Sequence, residues 1–226
     1  MTILKGFDNM ISNLYDLGII DLSDCVVVSD PCYSRDVWCM AIGVKTVPGK
    51  YHSYAVEYTA PNWGVRIAAL LCYNTDIHKN ISHIITEKWE EISATIGVDS
   101  GQAGIFDDTI YPKDKDVGEY GDSKSFYGEA CDITLINPHC GIMKNNKAVV
   151  ASSGIGDGSY TLYATPHEQG IYSAFLLDFY MLDEGQDIFK EILKITNNLE
   201  SEKNKGQASK SIAATMLKNM KEKYGK

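Results

Sequence analysis

The stretch "GIYSAFLLDFYML", residues 170–182, decides how the rest of the chain is read. Its aliphatic and aromatic residues fall on both parities, Phe175, Leu177 and Phe179 on one and Tyr172, Leu176 and Tyr180 on the other. A strand that alternates apolar and polar has one wet face, whereas a strand apolar on both parities is covered on both sides and lies inside a sheet. The stretch therefore predicts a central strand. Upstream, "SYTLYAT" and "AVVASSG" predict two more strands, broken by glycine-rich turns.

Further toward the N-terminus the same chemistry recurs. Strands are predicted over 25–29, 37–47, 51–59, 65–73 and 95–98, with "VPGKY" and "APNWG" as turns because Pro presets φ and Gly or Asn tolerates positive φ. There is no βαβ alternation and no internal repeat, so the strands are predicted to be antiparallel. Helical spacing marks four places. Ile3, Phe7, Met10, Ile11 and Leu14 form one face of an N-terminal helix. Residues 80–92 fit a short helix capped by Asn80, residues 184–199 a longer one, and Ile212, Met216, Leu217 and Met220 a last one. "FYGEACDITL" is compatible with helix or strand, and 107–125 reads as an exposed loop. The expected fold class is α+β and β-rich: mostly antiparallel sheets in a sandwich or barrel-like body, with an N-terminal helix and C-terminal helices.

A chain of 226 residues is long enough to bury one sizeable core without staples. Residues 1–200 are expected to form a single β-rich domain and 201–226 a lysine-rich helical extension. The net charge of −9 is uneven, because residues 201–226 hold seven lysines and two glutamates and so leave −14 for the body. An acidic body repels phosphates, so nucleic acid is not an expected partner unless the basic tail alone provides for it. No apolar run approaches the roughly 20 residues of a membrane helix, so no membrane association is expected. The opening residues lack the pattern of a secretory signal, and the expected location is cytoplasmic. The six cysteines contain no C-x-x-C pair and read as buried thiols.

Three segments carry more polar and small residues than their place beside apolar strands requires: "SDPCY" (29–33), "GVDSGQAGIFD" (97–107) and "SSGIGDGSY" (152–160). Each follows a strand-like run and contributes an aspartate, namely Asp30, Asp99 and Asp157. Converging carboxylates can bind a hard cation such as Mg²⁺ or Ca²⁺, or divide acid and base roles. Alone, each turn is explained by Asp accepting local N–H bonds and Gly supplying positive φ. "GIGDG" is not a phosphate loop, because β-formers and not a helix follow it. "VDSG" has no second copy to complete an aspartic-protease pair. "DKDVGEYGDSKS" has Glu119 where an EF-hand needs Gly and Ser125 where it needs Glu. Cys32 is a nucleophile only if a base adjoins it, and the five histidines show no recognisable pairing in the sequence, so no metal ligands are assigned.

Together, "VVVSDPCY", "WGVRIAALLCYN", "IGVDSGQAGIFD", "FYGEACDITL" and "VVASSGIGDGSYTLYAT" resemble a family of bacterial and phage proteins known as domain of unknown function 4241. The resemblance spans roughly residues 25–180. It implies a β-rich single domain and brings no activity with it.

The leading expectation is a binding module whose three turns line one cleft for a small polar ligand, a peptide or a cation. Asp30, Asp99 and Asp157 would accept hydrogen bonds or hold the cation, Ser100, Gln102 and Ser159 would orient the ligand, and Tyr33 and Tyr160 would stack on it. The alternatives are a metal-dependent hydrolase using the same three carboxylates, with Cys32 as a further catalytic candidate, and a protein-interaction factor in bacterial or phage conflict.

Overall fold

The computed structural model describes residues 10–60, 63–113, 116–143, 145–182, 186–199 and 201. They form two antiparallel sheets and three helices. One sheet has six strands: β1 (Met10–Leu22), β4 (Gly49–Ala60), β5 (Gly64–Asn74), β11 (Ile171–Asp178), β10 (Gly158–Glu168) and β6 (Glu90–Val98), adjacent in that order. The other has five, in the order β3 (Ala41–Lys45), β2 (Cys25–Ser29), β7 (Gln102–Asp107), β9 (Ala148–Ser152) and β8 (Cys140–Ile142).

The facing sides of the two sheets share one core. Val26, Val28, Ile105, Val149 and Ala151 of the smaller sheet meet Ile20, Tyr51, Leu70, Ile96, Leu162, Phe175 and Leu177 of the larger. The outer face of the larger sheet is covered by α1 (Ile81–Ile85) and α3 (188–199), through Ile84, Ile85, Ile188 and Ile192 on Leu71, Tyr73 and Leu176. The outer face of the smaller sheet is covered by α2 (Phe126–Thr134), where Ala130, Phe126 and Ile133 pack near Val27, Phe106 and Val150. Both sheets are thus buried on two sides, which explains why β2, β5, β9 and β11 are apolar on both parities. As expected, β11 is central. Among the described residues no helix is long and apolar enough to cross a membrane.

Several expectations are corrected. Residues 10–14 belong to strand β1, not to an N-terminal helix; residues 3–9 lie outside the described residues. The misleading spacing has a physical source. β1 pairs with β4 along its length but carries bulges between Ile11 and Asn13 and between Asp16 and Gly18, and each bulge shifts the parity by one. Asn13 Oδ1 accepts from the Leu14 N–H and Asp16 Oδ1 from the Gly18 N–H, so polar side chains stabilise both irregularities.

The helix expected over 80–92 stops at Ile85, and Glu90–Ile92 already belong to β6, whose pairing with β10 overrides the local spacing. Gln102–Asp107 is a fully buried strand and not part of a polar turn. "FYGEACDITL" resolves as helix, started by Ser125, whose side chain accepts from the Gly128 N–H. Among the cysteines, Cys39 is exposed and Cys25 and Cys32 half-buried, so only Cys72, Cys131 and Cys140 fit the expected buried thiols. The helix expected around 212–220 lies outside the described residues.

Candidate functional site

The topology brings the three polar turns to one end of the molecule. β6 leaves the larger sheet through 99–101 to become β7 in the smaller, and β9 returns through 153–157 to become β10. The two crossings run side by side, since Gly158 pairs with Val98 at one end and Gln102 with Ser152 at the other. Ser29, at the end of β2, pairs with Gly104, which places Asp30 against the same crossings. The expectation that strand ends collect these segments is met in this sense.

Most of the polar groups gathered there hold the turns to one another. Asp30 is fully buried, and its carboxylate accepts from the N–H groups of Cys32 (2.9 Å), Asp99 (2.8 Å) and Ser100 (2.7 Å) and from Ser100 Oγ (2.6 Å). A buried carboxylate with that many donors is architectural: it ties the 30–33 turn to the 99–101 turn. The ligand-contacting roles expected of Asp30 and Ser100 are replaced by this knot. Gln102 is also committed, its Nε2 donating to Cys131 Sγ at 3.2 Å and its Oε1 accepting from Thr134 Oγ1 at 3.0 Å, so it fastens α2 to β7. Tyr160 is buried with its hydroxyl between the carbonyls of Ser153 (3.0 Å) and Gly156 (2.6 Å), which makes it the hub of its own turn and not a stacking surface.

Gly154 in that turn has φ +54°, and a Cβ there would lie 2.9 Å from both Met181 Sδ and the Phe179 carbonyl oxygen. Glycine is required for conformation and for space. Cys32 is half-buried, and burial, then the adjacent Asp30 charge, push its thiol far above the ordinary range. A thiol held protonated is a poor nucleophile, and among the described residues no histidine adjoins Cys32 as a hydrogen-bond partner.

The side chains left facing outward are Tyr33, Asp99, Asp157 and Ser159, together with a residue the sequence reading passed over, Trp38. Its ring stacks on Tyr33, with centroids 4.9 Å apart and planes 13° apart. The indole is 43% exposed, and its Nε1 has no hydrogen-bond partner among the described residues. It lies directly over Gly97 of β6, where an added Cβ would sit 2.5 Å from Nε1, so the absence of a side chain at 97 makes room for the ring. Tyr33 completes the ledge by donating to Asp99 Oδ2 at 2.7 Å; that hydrogen bond, then burial, raise the phenol above its ordinary value. The 33–38 loop is itself anchored by Tyr111, whose hydroxyl donates to the carbonyl of Tyr33 at 2.7 Å.

Beyond the ledge, Ser159 pairs with Gly97 across the β6–β10 ladder and opens a groove of about 300 Å³. The groove is lined by Glu91, Ser93, Thr95, Ser159, Thr161 and Tyr180, with the Tyr180 hydroxyl bonded to Thr161 Oγ1. Among the described residues, no lysine, arginine or histidine lines it. Asp157 is exposed and stands one residue beyond the Gly158–Val98 pair, at the same end as Asp99. A larger cleft of about 420 Å³, lined in part by Cys25, Lys45, Thr46 and His167, lies at the opposite ends of β2 and β10 and touches none of the three turns.

Only a tryptophan in an otherwise polar loop, in "SRDVWC", marked the ledge in the sequence. In comparison with known proteins, no family model matches the chain, and no curated protein or solved structure matches it.

Proposed function

We propose that this chain is a binding module for a neutral or cationic polar ligand with a flat, carbon-rich ring face, of which a sugar ring is the leading chemical class. The observation that carries the reading is the exposed Trp38 ring stacked on Tyr33. An aromatic pair left in water at a rigid loop offers a preformed surface for a ring's C–H face, while nearby hydroxyls and a carboxylate bond its polar rim. Asp99, Ser159, Thr95 and Thr161 supply acceptors and donors, and Glu91 gives the groove an acidic character that disfavours phosphates.

The hydrolase alternative has weaker support, because Asp30, one of its three carboxylates, already accepts four internal hydrogen bonds. In our reading the two facing sheets form a β-sandwich. Kinship with the domain-of-unknown-function family is a proposal that rests on the five quoted segments alone.

The test is a titration of intrinsic fluorescence with soluble neutral oligosaccharides, with nucleosides and short peptides as parallel probes. A saturable change is expected with a sugar probe, and Trp38→Ala is expected to weaken it at least about tenfold, as for a buried aromatic anchor in a binding surface. The melting temperature should hardly change, since the removed side chain is exposed. Binding that survives intact in Trp38→Ala, or no binding by any sugar, would sink the reading.

A further inference from the structure

A second site lies away from the turns, where the segment after β5 meets α1. His78 is only 5% exposed, and its Nε2 lies 2.9 Å from Ser173 Oγ on β11. The serine hydroxyl has one proton and donates it to the Thr165 carbonyl, leaving its lone pairs to accept from the histidine. His78 therefore carries its proton on Nε2, and Nδ1 is a bare lone pair. That nitrogen is buried and has no hydrogen-bond partner among the described residues.

A buried polar atom without a partner is uncommon and calls for a physical reason. Beside His78 stand His83 on α1 and Glu87 just past its end. The ligand atoms of His78, His83 and Glu87 all lie within 4.8 Å of one another, and His83 Nε2 is 3.4 Å from Glu87 Oε1. Asn80 sets this geometry by capping α1 through the His83 N–H, which places His83 and Glu87 one turn apart on the same side.

We propose that His78, His83 and Glu87 bind a divalent transition-metal ion of the zinc class. Two imidazoles and one carboxylate are a zinc ligand set, while Mg²⁺ and Ca²⁺ prefer oxygen alone. Tetrahedral zinc with bonds of about 2.0–2.1 Å needs ligand atoms about 3.4 Å apart. The His83–Glu87 pair already meets that spacing. Both side chains are well exposed and free to close on the fixed His78 nitrogen. The hydrogen bond from His78 Nε2–H to Ser173 serves as the outer contact that orients a metal-bound imidazole. Three protein ligands leave a fourth position for water. The site is independent of the aromatic ledge.

The experiment uses the full chain stripped with EDTA and then given Zn²⁺, or Co²⁺ as a spectroscopic probe. Zinc at roughly a hundredfold above its Kd should raise the melting temperature by about 5–10 °C, and Co²⁺ should give the visible absorption of a tetrahedral centre. His83→Ala and Glu87→Gln, both at exposed positions, should fold with an unchanged metal-free melting temperature and lose these responses. Failure of zinc to shift the native protein, or a full shift retained in the double variant, overturns the assignment.

Discussion

Asp30 and His78 are both polar side chains buried at the end of a strand, and their surroundings differ in the respect that matters. Every acceptor position of Asp30 is supplied from within, by three backbone N–H groups and a serine hydroxyl. His78 has one partner, Ser173, and a second nitrogen buried with none. The first arrangement returns the cost of burying a charge as hydrogen bonds and ties two turns together. The second leaves a desolvated lone pair near two exposed ligand side chains, an arrangement suited to an incoming ion. The most conspicuous carboxylate motif thus belongs to the architecture, and the less conspicuous histidine belongs to a site.

The largest effect that sharpens this contrast is expected from Asp30→Ala. It strands buried donors at both turns and should cost about 3–5 kcal/mol, a fall in melting temperature of roughly 10 °C. A variant as stable as the native protein in chemical denaturation would mean that the knot does not hold the turns.

Asp178 is an intermediate case, a largely buried carboxyl with one backbone donor, the Tyr180 N–H. Burial raises its pKa to about 6. Folding therefore favours the protonated acid, so its contribution is fully present below the unfolded carboxylate value near 4 and is lost as pH rises through about 6. Asp178→Asn should stabilise the protein by on the order of 1–2 kcal/mol at pH 7.5, with the gain vanishing near pH 4. Equal melting temperatures at both pH values would contradict that environment.

Ser173→Ala probes the other end of the comparison. The metal-free protein should lose about 1 kcal/mol, and zinc affinity should fall about 10- to 100-fold because the imidazole is no longer oriented. Loss of stability with unchanged affinity would make Ser173 merely structural. The smallest effect is expected at exposed Asp157, where Asp157→Ala should leave stability within about 0.5 kcal/mol, measured by thermal melting.

The sequence made some of this legible. Strands with apolar runs next to Pro and Gly turns, such as β4, β5, β10 and β11, could be read because their cores are apolar and turn residues punctuate the chain around them. Met10–Leu14 misled because bulges break strand parity into helix-like spacing, and Glu90–Ile92 because three residues cannot reveal the partner strand that captures them. Gln102–Asp107 was hidden by its polar ends. The convergence of the three turns followed from strand ends, but the commitment of Asp30, Gln102 and Tyr160 depends on donors and carbonyls that no local pattern displays. His83 and Glu87 have helical i, i+4 spacing. His78 lies five residues before His83, but the burial and orientation of its ring depend on Ser173, which is 95 residues away.

The most direct measurement is an anomalous-scattering map of crystals soaked in Zn²⁺, which sets both regions against each other in one experiment. The expected map has a strong peak between His78 Nδ1, His83 and Glu87, and none at the turns that carry Asp30, Asp99 and Asp157. A peak against those carboxylates with nothing at His78 would contradict the assignment of one region to the fold and the other to a ligand.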